Sequence, residues 1–287
     1  MTIKGIRAAV QKPASRGEVD RRFALGLIRA FGGAILFSFP ILMTMEMWWL
    51  GFYMDRFRLA LFIILDLPLL FGLSYYAGFE ATNQRLSDVL DAFTAFAIGF
   101  AAAAFMLAIF AVIGPGMSAD EILGKIAIQA VPASIGAMLV RSQFGESQPE
   151  EEKRRGTRYG GGLFLMAIGA LYLSASVAPT EEMVLISYQM IPGQFMALVV
   201  FSLVTIHGFL YAVAAQGKIP LPLGVPQFWT VFLRFTLVGY AIALLISLFM
   251  LWTFGRTDGV AWGQIIQMTV VLGFPAALGA GAARLIL

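Results

Sequence analysis

Apolar positions in this chain gather into eight runs of spanning length, separated by short polar or charged connections. The runs cover roughly 30–51, 58–78, 92–113, 121–141, 160–178, 190–214, 227–254 and 263–285. A helix needs about 20 apolar residues to cross about 30 Å of hydrocarbon. Each run therefore predicts one transmembrane helix. The period-two alternation of a membrane β-barrel is absent. The expected fold class is all-α, a polytopic membrane protein of about eight transmembrane helices.

The polar segments divide the chain. Residues 1–29 form a basic N-terminal arm, in which RRFALGLIRAF can lie along the interface with Arg21, Arg22 and Arg29 on lipid phosphates. The arm is long, and the apolar stretch after it has no small-residue cleavage site, so it is not read as a signal peptide. A first transmembrane region, 30–141, is followed by a charged linker, SQFGESQPEEEKRRGTRY (142–159), and a second region, 160–287. Lys4, Arg7, Lys12, Arg16, Arg21, Arg22 and Arg29 fall on one side of the predicted membrane, with Arg141, Lys153, Arg154, Arg155, Arg158 and Lys218. Only Arg56, Arg58, Lys125 and Arg256 fall on the other. The positive-inside rule then puts both termini and the linker in the cytoplasm. Trp48, Trp49, Trp252 and Trp262 sit at predicted outer ends and Trp229 at an inner one, as aromatic belts do.

The chain also matches itself. At an offset of 136, Gly33, Ala34 and Ser38 meet Gly169, Ala170 and Ser174, and Thr44, Glu46 and Met47 meet Thr180, Glu182 and Met183. Leu67, Gly72 and Tyr75 meet Leu203, Gly208 and Tyr211, and PASIGAMLVR (132–141) meets PAALGAGAAR (275–284). Each unit holds four spans, an even number, so both enter from the same side. The expected architecture is two parallel four-helix repeats about an axis along the membrane normal.

The repeat gives the acid of MTMEMWWLG a counterpart. Glu46 and Glu182 share the pattern T-x-E-M, with Glu181 beside the second. If the first span starts near Arg29, Glu46 lies about 6 Å inside the outer boundary. Two carboxylates on a pseudo-twofold axis would repel, and a proton or bound cation would relieve them. Asp66, about 10 Å deep if its span starts near Leu59, has Ser202 as its counterpart. Lys125 either pairs with one of these acids or shares their role. Together Glu46, Glu182, Glu181, Asp66 and Lys125 are the candidate ion or substrate site. His207, the single histidine, is a candidate proton relay or a hydrogen-bonded packing residue. Asp88 and Asp91 suit a helix N-terminus, and Arg234 either snorkels to phosphates or pairs with Asp91. The small pairs Ala133/Ala137 and Ala276/Ala280 read as close packing. Pro40, Pro68, Pro132, Pro192 and Pro275 interrupt spans.

Composition narrows the chemistry. The chain has 287 residues, 59% hydrophobic and 13% charged, where soluble domains are about half apolar and about a quarter charged. It has no cysteine and one histidine, which excludes disulfides, thiolate chemistry and multi-His metal centres. The net charge of +3 comes with no basic face interleaved with aromatics, so no nucleic-acid partner is expected. Phosphate-loop, H-E-x-x-H and G-x-S-x-G motifs are missing. A Glu-Glu pair recurs in intramembrane Glu proteases, but that pattern needs an Arg where Ile186 stands, and several His. The chain is therefore expected not to be an enzyme, with no catalytic residue, cofactor or metal.

PILMTMEMWWLG, with the later APTEEM, resembles a family of prokaryotic integral membrane proteins grouped only as a domain of unknown function. The resemblance covers the chain from about Arg22. It implies a multi-span inner-membrane protein and carries no activity. The residues themselves favour a channel or carrier for a cation or protons. The rival is a non-transporting scaffold whose polar cluster is structural. The lipid bilayer is the one obligatory partner, and a homo-oligomer is compatible with the pattern.

Overall fold

The computed structural model describes residues 16–77, 85–144, 159–215 and 227–286, and all regular structure in them is helical. The first half runs α1 (Arg16–Leu42), a short α2 (Met45–Tyr53), α3 (Arg56–Ala77), α4 (Arg85–Ile109) and α5 (Ala119–Phe144). The second runs α6 (Tyr159–Val177), a short α7 (Glu181–Gln189), α8 (Pro192–Ala215) and α9 (Gln227–Val231). A π-helical turn (Phe232–Thr236) leads from α9 into α10 (Leu237–Thr253), and α11 (Trp262–Ile286) closes the chain. Eight helical segments among the described residues are long and apolar enough to span a membrane, from Phe23–Leu42 to Trp262–Leu285. Seven match the apolar runs to within a few residues.

The first run differs. It reads as one span to residue 51, but α1 stops at Leu42 and a separate helix carries Met45–Tyr53. The cause is local. Thr44 is extended, with φ −95° and ψ 116°, and its hydroxyl donates to Pro40 O at 2.9 Å, satisfying a carbonyl at the end of α1. Glu46 thus lies in the first turn of a short helix, beyond the span rather than inside it. Pro192 likewise opens α8 rather than breaking it, where its missing N–H is harmless.

α2 and α7 are nine residues each. Each is entered through an extended threonine, Thr44 or Thr180, and left through an extended methionine, Met54 or Met190. Met47 and Met183 fix them to the protein at 1% and 2% exposure. Contacts gather both short helices at one end of the molecule, the short-helix end. There Gly51 abuts Lys125, Arg56 pairs with Asp120, and Arg256 donates to Pro179 O. The opposite end, where α5 ends and α6 begins, is the linker end.

Each half is built around its last helix. α1, α2, α3 and α4 all pack on α5, and α6, α7, α8 and α10 all pack on α11. The α5 span is 89% buried, far more than its neighbours. Its sequence explains that position, because Ala130, Ala133, Ser134 and Ala137 expose nothing and let surrounding helices approach closely. Between the halves α3 touches α6 and α10, and α5 touches α6. Tyr172 Oη donates to Phe37 O at 2.7 Å across this seam.

Candidate functional site

Leu59, Phe62, Asp66, Leu70 and Leu73 form the buried stripe of α3, at the three- and four-residue spacing of one helix face. Four are apolar and the fifth is a carboxylate that is 0% exposed. Because α3 starts at Arg56, Asp66 lies about 15 Å along the helix, deeper than the sequence estimate. Ser134 of α5 donates its hydroxyl to Asp66 Oδ2 at 2.7 Å. The same hydroxyl lies 2.7 Å from Val131 O, so its one proton serves one acceptor at a time. Asp66 Oδ1 is buried without a hydrogen-bond partner. No Lys, Arg or His forms an ion pair with Asp66 among the described residues.

Gln129, five residues before Ser134 on α5, is also 0% exposed, and neither of its amide atoms is hydrogen-bonded. Its signal in the sequence is a neutral amide within an apolar run, which carries no charge to mark it. Unmet polar atoms of this kind are rare in folded proteins.

The other candidates are dispersed. Glu46 is half-buried, and Glu181 and Glu182 are exposed, all in the first turns of α2 and α7 where acids favour the helix N-terminus. α2 lies on α5 and α7 on α11, so each acid belongs to its own half. Lys125 pairs with none of the three. Its Nζ lies 2.7 Å from Glu121 Oε1, one turn earlier on α5. Asp88 sits within the first turn of α4 and accepts a hydrogen bond from Ser74 at 3.1 Å. The Arg234 guanidinium lies over the Tyr159 ring, 5.9 Å from its centroid.

His207 sits on α8, with Nδ1 2.9 Å from Thr236 Oγ1 and its ring against Phe228, Phe232 and Tyr211. Thr236 is brought there by the π-helical turn, which also leaves its hydroxyl 3.4 Å from Val231 O. His207 Nε2 is buried without a partner. Nothing in the sequence signals the π turn.

Among the described residues no group of three or more His, Asp or Glu side chains is placed to hold a metal ion. Among the described residues Asp66 is the one fully buried carboxylate, and no ion pair reaches it. Neither the curated proteins nor the solved structures hold a match to the chain. A family model described as an integral membrane protein, DUF2391, matches residues 26–287. The chain belongs to this family of integral membrane proteins.

Proposed function

We propose that the protein is a membrane transport protein for protons or a small inorganic cation, with Asp66 as the group that carries the charge. The observation that supports this is the state of the carboxylate: fully buried in mid-helix, one oxygen on Ser134 and the other on nothing. A bare carboxylate at membrane depth is unfavourable by about 2.5–3.5 kcal/mol even on permissive scales. A proton or a cation removes that penalty, and its release where water enters completes a transport step. The hydroxyl of Ser134 suits both states, since it can donate to the carboxylate or turn to Val131 O.

This reading moves the centre from Glu46 and Glu182, at the ends of the spans, to Asp66. It does not use His207, which lies in the other half with its Nδ1 on Thr236. Sidedness follows the charges, with the linker end cytoplasmic and the membrane the cell's inner one.

One observation favours a second reading. The Ser134–Asp66 bond ties α3 to α5, which a non-transporting scaffold would also use. Flux of protons and of several cations into proteoliposomes, compared between the native chain and Asp66→Asn, separates the two. Transport predicts a flux that the variant loses while staying folded. A scaffold predicts no flux above empty vesicles from either.

A further inference from the structure

A cleft of about 500 Å³ opens at the short-helix end between α2, the α4–α5 connection and the start of α5. Its walls include Trp48, Trp49, Phe52 and Phe110, and its floor is the Lys125–Glu121 pair. The two charged side chains are 10% and 20% exposed. Lys125 carries three donors. Glu121 takes one, while Val112 O at 3.4 Å and Met117 Sδ at 3.9 Å are long, weak acceptors for the others. Glu121 meets Lys125 through Oε1, and both side chains line the cleft. The floor thus offers a cation and an anion side by side, under aromatic rings.

Depth narrows the occupant. Lys125 lies about 9 Å along α5 from Ala119. Above it, Trp49, Phe52 and Tyr53 of α2 are 58%, 57% and 58% exposed, the arrangement of an interfacial helix at headgroup level. A ligand here meets lipid on one side and charge on the other.

The second half provides an internal comparison. At the positions that correspond to Trp48, Trp49 and Phe52 stand Val184, Leu185 and Tyr188. In the register of PASIGAMLVR and PAALGAGAAR, Glu121 and Lys125 become Gln264 and Met268. Gln264 instead donates to Ser187 Oγ at 2.8 Å. The same helix pairing is therefore held without charges and without tryptophan, so the first half has these groups for something besides packing.

We propose that the cleft binds the headgroup of a zwitterionic phospholipid. The ammonium faces Glu121 and the rings of Trp49 and Phe52, which attract cations through their faces. The phosphate takes a donor of Lys125 that otherwise has only the long contacts to Val112 O and Met117 Sδ. An anionic headgroup would place its phosphate beside Glu121 with no ammonium to balance it, so charge selects the zwitterion.

The test uses the full chain in detergent, exposed to equal phosphatidylethanolamine and phosphatidylglycerol and read by native mass spectrometry. The native chain should retain phosphatidylethanolamine preferentially, and the double variant Glu121→Gln, Lys125→Met should lower that retention at least about five-fold. Trp49→Leu, which leaves the ion pair intact, should lower it about two- to three-fold. Equal retention of both lipids, or unchanged retention in either variant, would overturn the proposal. Soluble phosphoethanolamine at matched concentration should not displace the lipid. Displacement would assign the cleft to a water-borne ligand and overturn the lipid assignment.

Discussion

Gly33 of α1 and Gly136 of α5 meet backbone to backbone: a Cβ on Gly33 would stand 2.8 Å from Gly136 O, and one on Gly136 would stand 2.7 Å from Gly33 O. Gly169 of α6 and Gly279 of α11 meet in the same way, each pressed on the other's carbonyl. The two crossings correspond in sequence register, Gly33 with Gly169 and Gly136 with Gly279. So do Ser38 and Ser174, whose hydroxyls donate to Ala34 O and Ala170 O at 2.6 Å each. Each half is thus closed by one glycine crossing at matching sequence positions.

Substituting alanine at either crossing should therefore be harmful to a similar degree. Gly136→Ala and Gly279→Ala should each destabilise by about 1–3 kcal/mol, because backbone cannot yield as a side chain can. Thermal unfolding in detergent measures this. Gly208→Ala, which meets nothing within 4 Å, is the control and should be neutral or mildly stabilising. Crossing variants that melt with the control would contradict the account.

At the short-helix end the halves are held by Arg58 of α3. It reaches Asp258 through two bonds of 2.8 and 2.7 Å, donates to Trp252 O at 2.9 Å, and lies 5.0 Å from the Trp252 ring centroid. Arg58→Ala should lower the melting temperature more than Asp258→Asn, because the arginine keeps its carbonyl and ring when only the acid is lost. Asp258 is 58% exposed, so its share should stay within about 1 kcal/mol. An Asp258→Asn effect as large as that of Arg58→Ala would show that the ion pair alone matters.

Sidedness can be measured directly, since the native chain has no cysteine. Ser147→Cys, in the linker, should be protected from an impermeant thiol reagent in intact cells. Ala119→Cys, exposed at the short-helix end, should be labelled. The reverse pattern would invert the proposed orientation.

The spans were legible because each is an unbroken apolar run, and seven of the eight begin and end close to where hydropathy places them. The break before α2 was hidden because MTMEMWWLG is apolar on both sides of it. Only the extended backbone at Thr44 and its bond to Pro40 separate the helices. Lys125 meets Glu121, four residues earlier on the same helix, rather than a distant acid. Asp66 was visible as an acid in FIILDLPLL, but its partner Ser134 lies 68 positions away, and only tertiary packing joins them. The π turn that delivers Thr236 to His207 has no sequence signature at all.

Transport as proposed depends on Asp66 carrying charge across the membrane. The most direct measurement is proton and cation flux into proteoliposomes, with the native chain, Asp66→Asn and Ser134→Ala reconstituted side by side at equal density. The account predicts flux from the native chain, its loss in Asp66→Asn at a melting temperature near native, and a reduced but finite flux in Ser134→Ala. Flux from Asp66→Asn equal to that of the native chain would contradict it.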